Sequence, residues 1–540
     1  MRVEFVNNGR ASNGADRNAR VDFLRVDGVT FQSEDPDVFS TGTYSQTFGC
    51  DAGSKQSEWL HCGGYFKYDL NFAGPTAPPT GVEVSESLGR GINFGNSLEA
   101  PREGDWGARL EADFFEIVAE AGFDHVRLPV SWAGYADTEA PYTIPDGVDP
   151  NISNQRYSNI WDRIDWAIDQ AEANNLMIIV NMHHYNEAHR DPAGHRDRII
   201  AIWEQISLRY ADAGDHVVFE LFNEPNGVFN GSPELWNELL ADLHSTVRET
   251  NPTRTLIIGP VGYNSIDRLD DLALPQDDHV IATVHIYEPF DFTHQGAYFL
   301  DTVPALGVPW SPDGLGLRDG LHNRSWDTRA ITEDGRLRID FGRQWAGFSL
   351  DYLDSVGPHQ VSFRASGDGT VRLGCRAPSG NQLDQARIAV TDQPQQFTID
   401  LSGCPSDATG ISIMNQDASL NPLFISDLEI CSLARGCEQS YTSADQSLRR
   451  FVERAKEWSD RSGVPVHIGE FGAFSADGRV AIADRAAWTA TVADEASEQG
   501  IPFSYWEFHA GYAAYDLERD AWNEELLEAL LGAHRSSAIS

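Results

Sequence analysis

Lysine is nearly missing from this chain. Of 40 basic residues only Lys55, Lys67 and Lys456 are lysines, and 82 acidic residues leave a net charge of −42. Such a surface repels phosphate backbones, which argues against a nucleic-acid partner. It suits a neutral polymer and a salty medium, where counterions screen the self-repulsion. An ordinary acidic secreted protein is the simpler alternative. No apolar run is long enough to cross a bilayer, so no membrane partner is expected. Met1 precedes a strand-like segment rather than a signal peptide, and the expectation is a secreted protein whose leader is missing from this sequence. Nucleophilic-Ser elbows, phosphate loops and GxGxxG turns are absent from strand–helix junctions, so acyl and phosphoryl transfer lack their equipment. Cysteine is sparse: Cys50/Cys62, Cys375/Cys404 and Cys431/Cys437 form three close pairs, none in a CxxC pattern. These spacings suit local disulfides in an oxidising compartment, although six cysteines allow 15 pairings.

What the chain does contain is apolar and aromatic mass. With 540 residues, 41% of them hydrophobic and 11% aromatic, two to four domains with a large core are expected. The 14 Trp and 16 Tyr exceed what packing usually needs and can offer flat faces to sugar rings.

Residues 1–70 carry short apolar runs broken by Gly, Asn and Asp, a partial β-rich segment. A Gly-Pro and a Pro-Pro place a linker over 71–84. From Leu88 onward β-branched runs alternate with amphipathic helices. The runs cover 91–96, 125–130, 177–184, 217–225, 255–262, 279–287, 465–472 and 502–508. Eight strands alternating with helices predict an α/β fold, a (β/α)8 TIM barrel over 85–314 and 438–540. Residues 288–464 separate the sixth and seventh strands, far more than a loop needs. Within 315–437, seven strand-like runs without helices predict a β-sandwich inserted there: 337–341, 348–353, 360–365, 370–377, 397–401, 411–414 and 423–431. Trp345, Phe348 and Tyr352 read as its core. A helix over 446–459 returns the chain to the barrel.

Two runs end in a glutamate, Glu224 before Pro225 and Glu470 between Gly469 and Phe471, the position where barrel strands present their chemistry. Paired carboxylates so placed can cleave a glycosidic bond, one lending a proton and the other attacking the sugar. Asn223 can hydrogen-bond a sugar hydroxyl beside that bond. Arg127 stands in an apolar strand and demands a carboxylate partner; there it would hold a nucleophilic carboxylate ionised. His183, His184, His285 and Tyr287 close the third and sixth strands, without the tight set of a zinc site. They read as hydrogen-bonding groups, His184 equally as a packing residue. Trp506 closes the eighth strand as packing or as the floor of a sugar site.

Residues 91–93, 125–129, 182–184, 223–225, 285–287 and 468–472 together with Trp506 resemble glycoside hydrolase family 5. The run HIYEPFDFTHQGA at 285–297 looks like its bacterial endoglucanases. The resemblance implies a retaining (β/α)8 enzyme with Glu224 as acid/base, Glu470 as nucleophile, and Arg127, His183, Asn223, His285, Tyr287 and Trp506 around them. Residues 3–8, 16–22 and 57–62 resemble the second half of carbohydrate-binding modules of families 60 and 36, which bind sugar through calcium. The resemblance therefore implies a structural calcium in the N-terminal or inserted module, with no cofactor for catalysis. Residues 424–430 look like the last strand of jelly-roll sugar-binding modules.

The expectation is thus a secreted, monomeric endo-β-1,4-glucanase acting on a β-glucan polysaccharide such as cellulose. A raised Glu224 pKa, a depressed Glu470 pKa and carboxyls about 5–5.5 Å apart are expected. β-Mannanase, mixed-linkage glucanase and xyloglucanase are the near alternatives. A non-catalytic polysaccharide-binding protein is the distant one, against which stand both glutamates and their supporting polar residues.

Overall fold

β-Branched runs bounded by turn residues close into a parallel barrel because only burial on both faces satisfies strands apolar throughout. In a computed structural model the barrel strands are Arg90–Asn93, His125–Leu128, Met177–Asn181, Val217–Glu220, Leu256–Ile258, Val280–Ile286, Val466–Phe471 and Phe503–Tyr505. They hydrogen-bond in that order, and the eighth pairs the first. The described residues are 2–5, 18–26, 29–34, 38–44, 50, 53–54, 56–68, 78–107, 109–146, 159–318, 320–417, 422–475 and 478–532. Two compact units are present, Met1–Pro79 and Thr80–Ser540.

Helices cover the barrel, among them Ala112–Ala121, Ile160–Ala173, Pro192–Arg209 and Pro233–Arg248. The fifth strand is followed by a 3-10 turn, Ile266–Asp271, in place of a full helix. One helix departs from expectation. Gly81–Leu88 lies partly where a linker was read, because Thr80 and Glu83 form a reciprocal capping box that nucleates a turn directly after the prolines. Its Val84 and Leu88 join Ile179, Val218, Ile257 and Ile281 in one buried cluster, so the helix packs against four barrel strands.

Between the sixth and seventh strands two antiparallel sheets face each other. One contains five strands, the other six. Ile339, Leu350, Val361, Val371, Ile413 and Ile430 are among the residues filling the space between them. Phe348 and Tyr352 belong to that core, whereas Trp345 is 42% exposed beneath the Arg372 guanidinium. Strands at Thr328–Glu333 and Gln382–Val390 were not anticipated. The second has only Ile388 and Val390 buried, so its hydrophobic alternation is faint. Leu315–Leu317 pairs with Tyr441–Ser443 at the neck, and the returning helix spans Ala444–Ser462. Cys375–Cys404 and Cys431–Cys437 are bonded within the sandwich.

The N-terminal unit holds a four-stranded sheet with Arg2–Phe5, Gly64–Lys67, Phe39–Ser40 and Gly53–Ser54 in that order. Val38, Leu60, Phe66 and Tyr68 form its buried centre, and Cys50 is bonded to Cys62. Residues 6–17, part of the module-like pattern, lie outside the described residues.

Candidate active site

Arg127 organises the barrel mouth. It is fully buried, and each of its five N–H donors is used. Nε and Nη2 grip Glu220 at 2.6 and 2.7 Å, and Nη2 also donates to Asn223 Oδ1 at 2.7 Å. Nη1 donates to Asn93 Oδ1 and to Glu470 Oε1, both at 2.8 Å. The partner demanded by a buried guanidinium is therefore double: Glu220 takes the bidentate pair, and Glu470 takes one bond. Glu220 escaped the sequence reading, although an acid inside the buried Val217–Glu220 strand was its signal.

Glu470 reaches this position through a bulge. Val284 pairs with Ile468, but His285 pairs with Glu470, so Gly469 is the extra residue of the seventh strand. A Cβ on Gly469 would lie 2.7 Å from Thr283 Oγ1 and 2.9 Å from His285 Nε2, which is why glycine stands there. The second Glu470 oxygen accepts from Tyr287 OH at 2.9 Å.

Glu224 follows the fourth strand in a left-handed conformation, φ 50°, directly before Pro225. Backbone strain of this kind persists only where surrounding structure holds it. Its Oε1 lies 2.6 Å from His285 Nδ1. Asn264 Nδ2 donates to His285 Nε2 at 3.2 Å, leaving Nδ1 as the protonated nitrogen that donates to Glu224. Asn264 belongs to a run of three left-handed residues, Gly262, Tyr263 and Asn264, at the end of the fifth strand. One oxygen of Glu224 and one of Glu470 lie within 4.8 Å of each other, with His285 between them.

Burial drives the electrostatics. It raises Glu224 to about 7, against the opposing charge of Arg127. Burial pushes His285 down to about 4, so its ring is neutral near pH 7. For Glu470 the expected depression is overturned: burial raises it, outweighing the opposing pull of His285 and Arg127, and the nearby Glu224 adds to the rise. Arg127 is shared with Glu220, so its charge is not Glu470's alone.

The remaining predicted residues converge on the same cavity of about 1830 Å³. His183 is buried, bonded to Asn181, with its ring stacked on Trp506 at 5.5 Å. Trp506 is half-buried and lines the cavity. His184 is exposed on the rim, edge-on to Trp106. Unforeseen were two buried carboxyls on the far side, Glu99 and Glu507. Burial raises Glu99 to about 8 and Glu507 well above the carboxylate range. Asn96 donates to both, through its backbone N–H to Glu99 and its amide to Glu507.

In the N-terminal unit Asp22, Glu34 and Glu58 come together, offering three carboxylates among the described residues. Calcium takes six to eight oxygens. Asp22 and Glu34 are exposed, Glu58 is partly buried, and Arg20 holds Glu58 at 2.8 Å. Among the described residues no helix is long and apolar enough to cross a membrane.

The family model for Cellulase (glycosyl hydrolase family 5) matches residues 86–317 and 433–511, skipping the sandwich. Endoglucanase H of Acetivibrio thermocellus is 33% identical over 224 residues, 41% of this chain and 23% of that protein. Endoglucanase A of Ruminococcus albus is 29% identical over 252 residues, 42% of this chain and 65% of that protein. The chain thus spans less than two thirds of the length of either relative. Cel5A of Thermotoga maritima, solved in complex with cellobiose and with mannotriose, has a TM-score of 0.54 and 28% identity. The match covers 83% of this chain and 98% of Cel5A.

Proposed function

The chain belongs to glycosyl hydrolase family 5, and on that premise we propose that it is a secreted, monomeric endo-β-1,4-glucanase acting with retention. The observation that carries the reading is the approach of a Glu224 oxygen to a Glu470 oxygen within 4.8 Å. Retaining enzymes hold the two carboxyls about 5–5.5 Å apart, whereas inverting ones leave about 6.5–9.5 Å for a water.

Glu470 attacks the anomeric carbon while the proton of Glu224 passes to the glycosidic oxygen and the C–O bond breaks. The free sugar leaves, and a glycosyl ester remains on Glu470. Water then attacks the same carbon, gives its proton to Glu224, and Glu470 departs as a carboxylate. The hydrogen bonds support these roles. With Oε1 accepting from His285, the other Glu224 oxygen is free to carry the proton toward the leaving group. Arg127 and Tyr287 hold both Glu470 oxygens, fixing the direction of attack. Trp506 offers its face to the sugar ring, and Asn223, held by Arg127, can meet the adjacent hydroxyl.

Hydrolysis of cellohexaose followed by NMR should release the β-anomer first, and Glu470→Gln should lower turnover at least about a thousandfold with the fold intact. An initial α-anomer, or a Glu470→Gln variant at full rate, would remove the assignment. The mannotriose complex of Cel5A makes β-mannan the second reading. Rates on mannan, lichenan, xyloglucan and carboxymethylcellulose side by side separate the alternatives.

A further inference from the structure

The inserted sandwich borders the catalytic cleft. One continuous cavity is lined by Glu224 and Glu470, by Tyr263 and Phe290 on the barrel, and by Asn323 and Arg324 on the sandwich. Its volume of about 1830 Å³ exceeds the roughly 300–1,000 Å³ that suits a small ligand. The sandwich contributes through the edge of its five-stranded sheet, where His322–Asn323 pairs on one side with Gly347–Asp351. That edge is tied to the barrel: His322 Nε2 lies 3.1 Å from Asp267 Oδ2, and Arg454 reaches the same carboxylate. Asp267 belongs to the 3-10 turn that follows Tyr263 and Asn264. The wall is therefore anchored beside the residues that orient His285.

The direction of a bound chain follows from the reading of the two glutamates, on which this inference rests. The leaving group lies beside the acid, Glu224. Around the barrel from Glu224, away from Trp506, Asn96 and Glu99, come the loops after the fifth and sixth strands. These carry Tyr263 and Phe290, 55% and 49% exposed, and beyond them stands the sandwich edge. An exposed aromatic in a left-handed conformation at this rim, as Tyr263 is, offers a face to a pyranose ring. Arg324 follows. Its backbone N–H is bonded to Ser349 O at 3.0 Å, and Asn323 Oδ1 accepts from the Ser325 N–H at 3.0 Å. The turn is thus held while the Arg324 side chain is exposed. A planar guanidinium, with five N–H donors, can donate to the hydroxyls of a neutral sugar, although each such bond is weaker than one to a carboxylate.

We infer that the sandwich is a cleft wall. Its Asn323–Arg324 edge binds the leaving-group end of the β-glucan chain beyond Tyr263, so the enzyme gains specificity for long chains from a segment that lies outside the family pattern. The experiment compares kcat/KM on hydroxyethylcellulose, an uncharged polymer, with kcat/KM on an aryl cellobioside, whose leaving group is a single small ring. The polymer-to-aryl ratio should fall about tenfold in Arg324→Ala, the worth of one hydrogen bond from a charged donor. Tyr263→Ala should lower the ratio as well. A ratio unchanged in Arg324→Ala but lowered in Tyr263→Ala overturns the inference, because the groove would then stop short of the sandwich. A ratio unchanged in both overturns it too, by sending the leaving-group end elsewhere. If the unaltered enzyme cleaves neither substrate, the reading of the glutamates has failed instead, and this one with it.

Discussion

Adding one methyl group at Gly469 tests the geometry on which catalysis depends. In Gly469→Ala the new Cβ would stand 2.7 Å from Thr283 Oγ1, 2.9 Å from His285 Nε2 and 3.2 Å from His285 Cδ2. Thr283 is fully buried and His285 nearly so, and neither can swing into solvent. His285 is also held at both nitrogens, by Asn264 and by Glu224. Relief to an ordinary contact needs several tenths of an ångström from the sixth strand, the seventh strand, or the imidazole. Overpacking of this kind costs about 1–3 kcal/mol. The same displacement falls on residues next to or bonded to both proposed catalytic carboxyls. A misplacement approaching 1 Å can cost on the order of a hundredfold in rate. Chemical denaturation should therefore show a loss of about 1–3 kcal/mol, and kcat on an aryl cellobioside should fall on the order of tenfold, less than a full 1 Å misplacement would cost. Thr283→Ala in the same chain removes the closest contact and should restore part of both. A Gly469→Ala enzyme with unaltered stability and rate would refute the bulge as the device that aligns Glu470 with His285.

Two further predictions follow from charge. Glu224 must be protonated to act as acid, and burial raises it to about 7, so kcat/KM should decline about tenfold per pH unit above about pH 7. His285, pushed down to about 4, adds nothing to that limb, and a plateau reaching pH 9 would contradict the assignment. The net charge of −42 makes self-repulsion large, so the melting temperature should rise between about 0.05 M and 1 M NaCl, as the screening length falls from above about 10 Å to about 3 Å. A fall in melting temperature across that range would sink the salt argument.

Much of the barrel was legible because a parallel strand buried on both faces must be apolar and β-branched along its length. Seven of the eight runs contain a barrel strand and the first overlaps one, Arg90–Asn93, and both glutamates stand at the mouth, where strand ends become solvent-facing. Legibility failed where the local signal was faint or distant. Gln382–Val390 buries too little to alternate visibly. Gly81–Leu88 follows a proline-rich stretch whose turn signals hid the Thr80–Glu83 box. Arg127 announced that it needed a carboxylate but could not say which, and the bidentate partner is Glu220. The raised Glu470 was likewise beyond reach, since depth of burial decides against its ion pair.

Periodicity, residue type and motif spacing are local properties of the chain, and they sufficed for the barrel, for the inserted β-rich segment and for singling out the two glutamates that meet at the barrel mouth. What the folded molecule alone decided is mutual placement. The one-residue bulge at Gly469 sets Glu470 opposite His285, Asn264 fixes which imidazole nitrogen carries the proton that Glu224 accepts, and the edge of the sandwich comes to rest beside the cleft. Each depends on contacts between segments far apart in sequence, whose strength is set by packing and dielectric rather than by neighbours along the chain.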